Sequence, residues 1–250
     1  MTSHRLFPVG LFTVGYMFAA VAAAVAIGNR EFIFYIAVMV VLIAAVVAVD
    51  RRVRLSPGLL WGLSVWGALH MAGGLVPVPD DWPTDGGFQV LYSWWIWPRE
   101  AATAGAAGGW LKYDQAVHVY GFGMATWLCW QGLRGALDAG PGSDRDPDRD
   151  LHSDPDPAAG EGTRARRPLQ PTPGLMLLVA AAGMGLGALN EVIEFTATRF
   201  ADTNVGGYVN TGWDLVFNMV GSVGAALILL FAARRGADSE GRDDPDRRSG

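Results

Sequence analysis

Six apolar windows constrain this chain more than anything else in it: residues 6–27, 32–49, 57–78, 110–133, 174–196 and 212–233. Each is close to the roughly 20 residues that a helix needs to cross the hydrocarbon core. Lipid offers no water to satisfy backbone N–H and C=O groups, so such a window must close its hydrogen bonds internally as an α-helix. The expected fold is an all-α, polytopic integral membrane bundle of about six transmembrane helices. With 51% hydrophobic and 17% charged residues, the chain does not read as a soluble globular protein. The first window also offers small residues for signal-peptide cleavage in VAAAVA, but its apolar run exceeds the usual h-region of roughly 7 to 15 residues. A retained helix is the expectation.

Orientation follows from the basic residues, which favour the cytoplasmic side. With the N-terminus inside, 15 Lys and Arg residues fall in cytoplasmic segments, against four outside: Arg30, Arg99, Lys112 and Arg199. DRRVR at 50–54 and ARR at 233–235 carry most of that bias. Both termini are therefore expected in the cytoplasm of a multi-pass protein of the plasma membrane.

This topology divides the chain into five parts. Residues 1–56 hold two helices, and 57–137 hold the third and fourth with an aromatic outer loop between them. Residues 138–173 form a polar cytoplasmic loop, 174–235 hold the last two helices, and 236–250 are a polar tail. The loop and tail alternate charge with Pro and Gly and are too polar to offset their ordering entropy, so both are expected to be disordered. They hold 13 of the 24 acids, so the net charge of -5 does not mark a binding site. No nucleic-acid partner is implied. Cys129 is the only cysteine, which excludes an internal disulfide and a Cys-rich zinc module. The outer loop, 79–109, packs Phe88, Tyr92, Trp94, Trp95 and Trp97 together, as suits a short helix lying at the membrane interface, with a lid over a site as the alternative.

Polar residues converge on one membrane level. The uninterrupted apolar part of the fourth window, 119–130, is too short to span, so YDQAVH must lie within the outer membrane zone, with Asp114 and His118 four residues apart on one face. NEVIEF extends the fifth window in the same way and places Glu191 and Glu194 together. The sixth window begins outside with NTGWDLVFNMVG, which puts Asp214 and Asn218 on one face at that depth, and the third passes His70 before it exits. An ionised side chain at the bilayer centre costs about 2.5–3.5 kcal/mol on the insertion scale, so these groups should face one another, a cation or water. Gly121, Gly123, Gly183, Gly185, Gly187, Gly221 and Gly224 allow close helix approach around them. Histidines and carboxylates on facing helices suit zinc, manganese or iron, so His70, Asp114, His118, Glu191, Glu194 and Asp214 are candidate metal ligands. Proton or ion handling, or a hydrogen-bond network that only fixes the bundle, are the other readings of the same cluster. His70 alone also reads as a bundle histidine bonded to a nearby carbonyl, and Asn210 or Thr211 as a cap on the last helix.

LHMAGG, YDQAVH, NEVIE and NTGWDLVFNMVG, in that order over roughly 60–230, resemble the YjdF-type family of multi-helix membrane proteins, a domain-of-unknown-function family. The resemblance implies that His70, Asp114, His118, Glu191, Glu194 and Asp214 occupy the family's polar positions. The chain departs from the family at Leu111 and Lys112, where Arg-Asn is common, and at Asn210, where an aspartate is common. A looser likeness links it to VanZ-like proteins. Neither resemblance implies a defined reaction.

The expected function is an enzyme-like or ligand-binding role at a polar, divalent-metal site near the outer face, acting on a lipid or envelope substrate. Glu191 or Glu194 would then serve as general base on a bound water. A transporter, which would need access from both faces, and a structural protein without chemistry are the competing classes.

Overall fold

The computed structural model describes residues 3–86, 88–99, 108–139, 169–199 and 207–240. Of the segments expected to be disordered, 138–173 and 236–250, residues 140–168 and 241–250 lie outside the described residues, whereas 138–139 and 236–240 continue helices. Among the described residues the chain forms six long helices: α1 (Ser3–Ile27), α2 (Arg30–Val53), α3 (Pro57–Leu75), α4 (Tyr113–Ala139), α5 (Pro173–Ala197) and α6 (Tyr208–Glu240). A helical membrane bundle is the architecture. Four of these helices, α1, α2, α5 and α6, are by themselves long and apolar enough to cross a bilayer.

Three packed clusters fix the path of the chain. Leu55 and Leu59 at the start of α3 pack with Leu6 and Val9 of α1, Val49 of α2, and Trp127 and Leu128 of α4. Trp130 of α4, Met176 of α5 and Leu230 of α6 form a second cluster. Ala24 of α1, Phe32 of α2, Leu75 of α3 and Ala197 of α5 meet in the third. Successive helices therefore alternate in direction, and α4, α5 and α6 start or finish in register with the first three. The start of α4, the end of α5 and the start of α6 share the end of the bundle at which α3 finishes.

Local chemistry sets the turns. Gly28 takes φ +72° between α1 and α2, and Asn29 then caps α2 by accepting from the Phe32 N–H at 3.1 Å. At the other end of α2, Arg54 adopts φ 55°, and the buried Asp50 side chain accepts from the Leu55 N–H at 2.9 Å. Ser56 caps α3, and Gln131 of α4 holds that cap by accepting from the Ser56 N–H at 2.7 Å and donating to its hydroxyl at 2.8 Å. Pro77 disfavours helical backbone at Val76, so α3 stops at Leu75, short of the expected 78.

The described residues of the outer loop do not form the expected interfacial helix. They fold as a single 3-10 turn, Leu91–Ser93, and an antiparallel pair of β1 (Trp95–Pro98) with β2 (Gly109–Lys112), which we call the hairpin. Two physical reasons are visible. Gly109 lies so close to Trp95 that a side chain there would strike the indole, and backbone bonds from Leu91 N–H to Val76 C=O and Trp95 N–H to Pro83 C=O hold the segment extended over the bundle end. Phe88, Trp97 and Trp110 remain exposed on this cap, as aromatics at a membrane interface do.

The glycines divide by position. A Cβ on Gly183 would meet Thr126, one on Gly187 would meet Asn218, and one on Gly221 would strike the Val119 carbonyl oxygen. Gly185 and Gly224, also expected at helix contacts, have nothing within 4 Å and face away from the packed seams. Gly221→Ala should therefore lower stability by about 1–3 kcal/mol in detergent denaturation, through forced separation of α4 and α6. Gly224→Ala should leave the midpoint unchanged or slightly raised; equal effects of the two would contradict this packing.

Candidate functional site

Lys112 closes β2 and Tyr113 opens α4 without a linker, so the hairpin delivers the helix start directly to the bundle end. The Gln115 side chain accepts from the Lys112 N–H at 2.9 Å and satisfies one of the orphan donors of that first turn. Tyr113 donates to the Leu69 carbonyl at 3.0 Å, which fastens α4 to α3. Asp114 and His118 follow on the inward face, as their spacing required.

His118 is the centre of the arrangement and is buried. Its Nε2 lies 3.4 Å from Asp114 Oδ1, and its Nδ1 lies 2.8 Å from Asn218 Oδ1 on α6. The Asn218 amide in turn donates to Glu191 Oε1 on α5 at 3.3 Å, and that oxygen is 3.7 Å from His118 Nδ1. One imidazole thus joins three helices. With Nδ1–H donating to Asn218 Oδ1, the ring's orientation is fixed and Nε2 is turned toward Asp114 Oδ1.

The remaining carboxylates complete two trios. Ligand atoms of Asp114, His118 and Asp214 lie within 4.8 Å of one another, and so do those of His118, Glu191 and Glu194. Asp214 Oδ2 accepts from the Asn210 amide at 2.5 Å, and Glu194 Oε1 accepts from Asn190 at 2.7 Å. Glu191 Oε2 and Asp214 Oδ1 are buried with no hydrogen-bond partner among the described residues. Asn210 does not cap α6, which begins at Tyr208; its side chain is drawn into the site by Asp214 and by Lys112, which donates to it at 2.6 Å.

His70 stands at the rim and belongs to neither trio. The Tyr92 hydroxyl donates to the His70 carbonyl at 2.9 Å and lies 2.6 Å from Nδ1, so that Nδ1–H donates back to it. Burial pushes the Tyr92 phenol well above its usual range, which keeps it the neutral hydroxyl that this pairing needs. A small cavity bounded by His70, Tyr92, Lys112, Asp114 and Glu194 connects the rim with the cluster.

Three contributors were not singled out from the sequence. Lys112 was counted among the outside charges, yet it is buried and pairs with Asp85 at 3.3 Å and Asp114 at 3.7 Å. Its position beside the YD pair was the available signal. Asp85 lies 27 residues away in an irregular loop, and Tyr92 belongs to an aromatic run that reads equally well as interface anchoring.

Neither the curated proteins nor the solved structures hold a match to this chain. A family model does match, and its match gives no support to the likeness to VanZ-like proteins. That model, described as "Predicted membrane protein (DUF2238)", covers residues 9–235, so the chain belongs to this family of membrane proteins.

Proposed function

We propose that the cluster around His118 is a divalent-metal site near the outer membrane face, built to act on a lipid or envelope substrate. In this reading the chain crosses the plasma membrane six times, with both termini in the cytoplasm. The observation that carries it is the pair of unpartnered buried oxygens, Glu191 Oε2 and Asp214 Oδ1, on the two carboxylate trios that share His118. A buried carboxylate oxygen without a donor is costly, and an unpaired one persists where a cation offsets it. Four carboxylates face Lys112 and His118, so negative charge is in excess there, and an ion of charge +2 suits that balance.

His118 and the oxygens of Asp114 and Asp214 would form one side of the coordination, in the mixed nitrogen and oxygen set that zinc, manganese and iron accept. Glu191 and Glu194 lie on the other face of the ring, and His70 at the rim offers Nε2. Bound, the ion would supply Lewis acidity and lower the pKa of a water molecule. Glu191 or Glu194 would take that water's proton as general base, and the polar rim would admit a headgroup from the outer leaflet. The hydrogen bonds of Asn190, Asn210 and Asn218 to these carboxylates would orient them, a role that outer-shell partners commonly fill around ligating groups.

Metal analysis of protein purified without chelator tests the proposal. Wild type should carry close to one equivalent of zinc, manganese or iron, and His118→Ala less than a tenth of it at equal helicity. Metal-free wild type would refute it. Loss of the outer-shell bond in Asn218→Ala should lower metal affinity by about 10–100-fold, measured by competition with a chelator. An unchanged affinity would contradict the orienting role. Because Cys129 is the only cysteine, topology can be read in a Cys129→Ala background: cysteine at 97 should label from outside the cell, and cysteine at 52 only after permeabilisation.

A further inference from the structure

A second, larger cavity lies between α1, α2 and α3, with a volume of about 280 Å³. Its wall is mostly apolar, from Leu6 and Val9 at one end through Met39, Ile43 and Val46, with Tyr16 and Trp66 among them, to His70 and Asn190 at the other. The two hydroxyls midway along it are committed to protein partners, since Thr13 pairs with Ser64 at 2.6 Å and donates to the Val9 carbonyl at 2.8 Å. On α2 it is lined from Tyr35 to Asp50, about 22 Å at the helical rise per residue. It is therefore a slot running most of the way through the bundle, narrow for its length.

Three observations identify its occupant. First, the slot opens sideways, because its lining residues Val14, Leu42 and Val47 are 66%, 45% and 41% exposed on the outer surface of the bundle. In the membrane that surface meets lipid. Second, its shape rejects a helix from a second copy, since 280 Å³ spread over a length of about 22 Å is a channel only a few ångströms across, narrower than a helix about 10 Å wide. A single hydrocarbon chain is the shape that remains. Third, Tyr35 and His70 line both this slot and the small polar cavity beside Asp114 and Glu194, so the apolar channel ends where the carboxylates begin.

We infer that this slot takes up one acyl chain of a membrane lipid and so presents that lipid's headgroup to His70, Asn190 and the carboxylate cluster. The assignment of the lipid as substrate rests on the metal-site reading above, whereas the binding of the chain does not. The chain enters between α1 and α2 from the surrounding bilayer, and Gly10, which lines the slot with no atom within 4 Å of where its Cβ would stand, leaves the far end open.

Photolabelling tests this in the full chain, reconstituted in phosphatidylethanolamine and phosphatidylglycerol vesicles doped with a phospholipid that carries a diazirine on its acyl chain. Labelled peptides from 6–16 and 35–47 should exceed those from the exposed face of α6, around Val220 and Ile228, by fivefold or more. Gly10→Phe, at a position where an added Cβ has no heavy atom within 4 Å, and Ile43→Trp, which fills the middle, should each remove that excess without changing the α6 labelling. His118→Ala should lose metal and keep the slot labelling, which separates a failure of the metal reading from a failure of this one. Labelling of the slot no stronger than that of α6, or unaffected by both filling variants, would overturn the inference.

Discussion

The structure depends on the two-sided hold on His118. Its imidazole faces Asp114 on its own helix and Asn218 and Glu191 on α6 and α5, so one buried ring ties together the three helices of the C-terminal half. A polar group facing lipid would be expensive, and this one is tolerated because it is buried against Asp114, Asn218 and Glu191, with the Phe122 ring beside it. The cost is shared by a network whose members satisfy one another, apart from the two oxygens left over.

The rest of the bundle serves that geometry. Gly183, Gly187 and Gly221 let α4, α5 and α6 approach until Thr126, Asn218 and the Val119 carbonyl touch the facing helix, which brings α5 and α6 within reach of the imidazole. The hairpin covers the end of the bundle at which α4 begins and carries Lys112 beneath it, where its ammonium reaches Asp85, Asp114 and Asn210. Tyr92 extends from the same cap to His70, so α3 and the cap are coupled to the rim of the site. The first two helices stand apart from this chemistry, and the slot beside them opens toward lipid on one side and the carboxylates on the other.

Much of this was legible in the sequence because membrane helices leave strong signals. The six windows read out the six helices, and i,i+3 and i,i+4 spacing placed Asp114 with His118 and Glu191 with Glu194. Convergence of four windows at one depth was expected; the fourth, fifth and sixth meet at the shared ring, whereas His70 of the third stays at the rim, bonded to Tyr92. The outer loop was misread, because aromatic density reports proximity to the interface and carries no backbone period; the strands there are four residues each and bulged. The burial of Lys112 was missed for a related reason. Charge counting assigns a lysine to a side of the membrane and says nothing of its depth, whereas a short loop that folds back over the bundle can bury it. The register of Asn210 was one turn off because the helix starts earlier than the apolar window does, at Tyr208.

The central claim is that His118 is an imidazole ligand of a divalent ion held mainly by carboxylates. X-ray absorption at the zinc edge of zinc-loaded protein tests it most directly. The account predicts a nitrogen and oxygen shell at about 2.0–2.2 Å with outer-shell scattering from no more than two imidazoles, one of them lost in His118→Ala. A shell without imidazole, or one unchanged by that substitution, would contradict it.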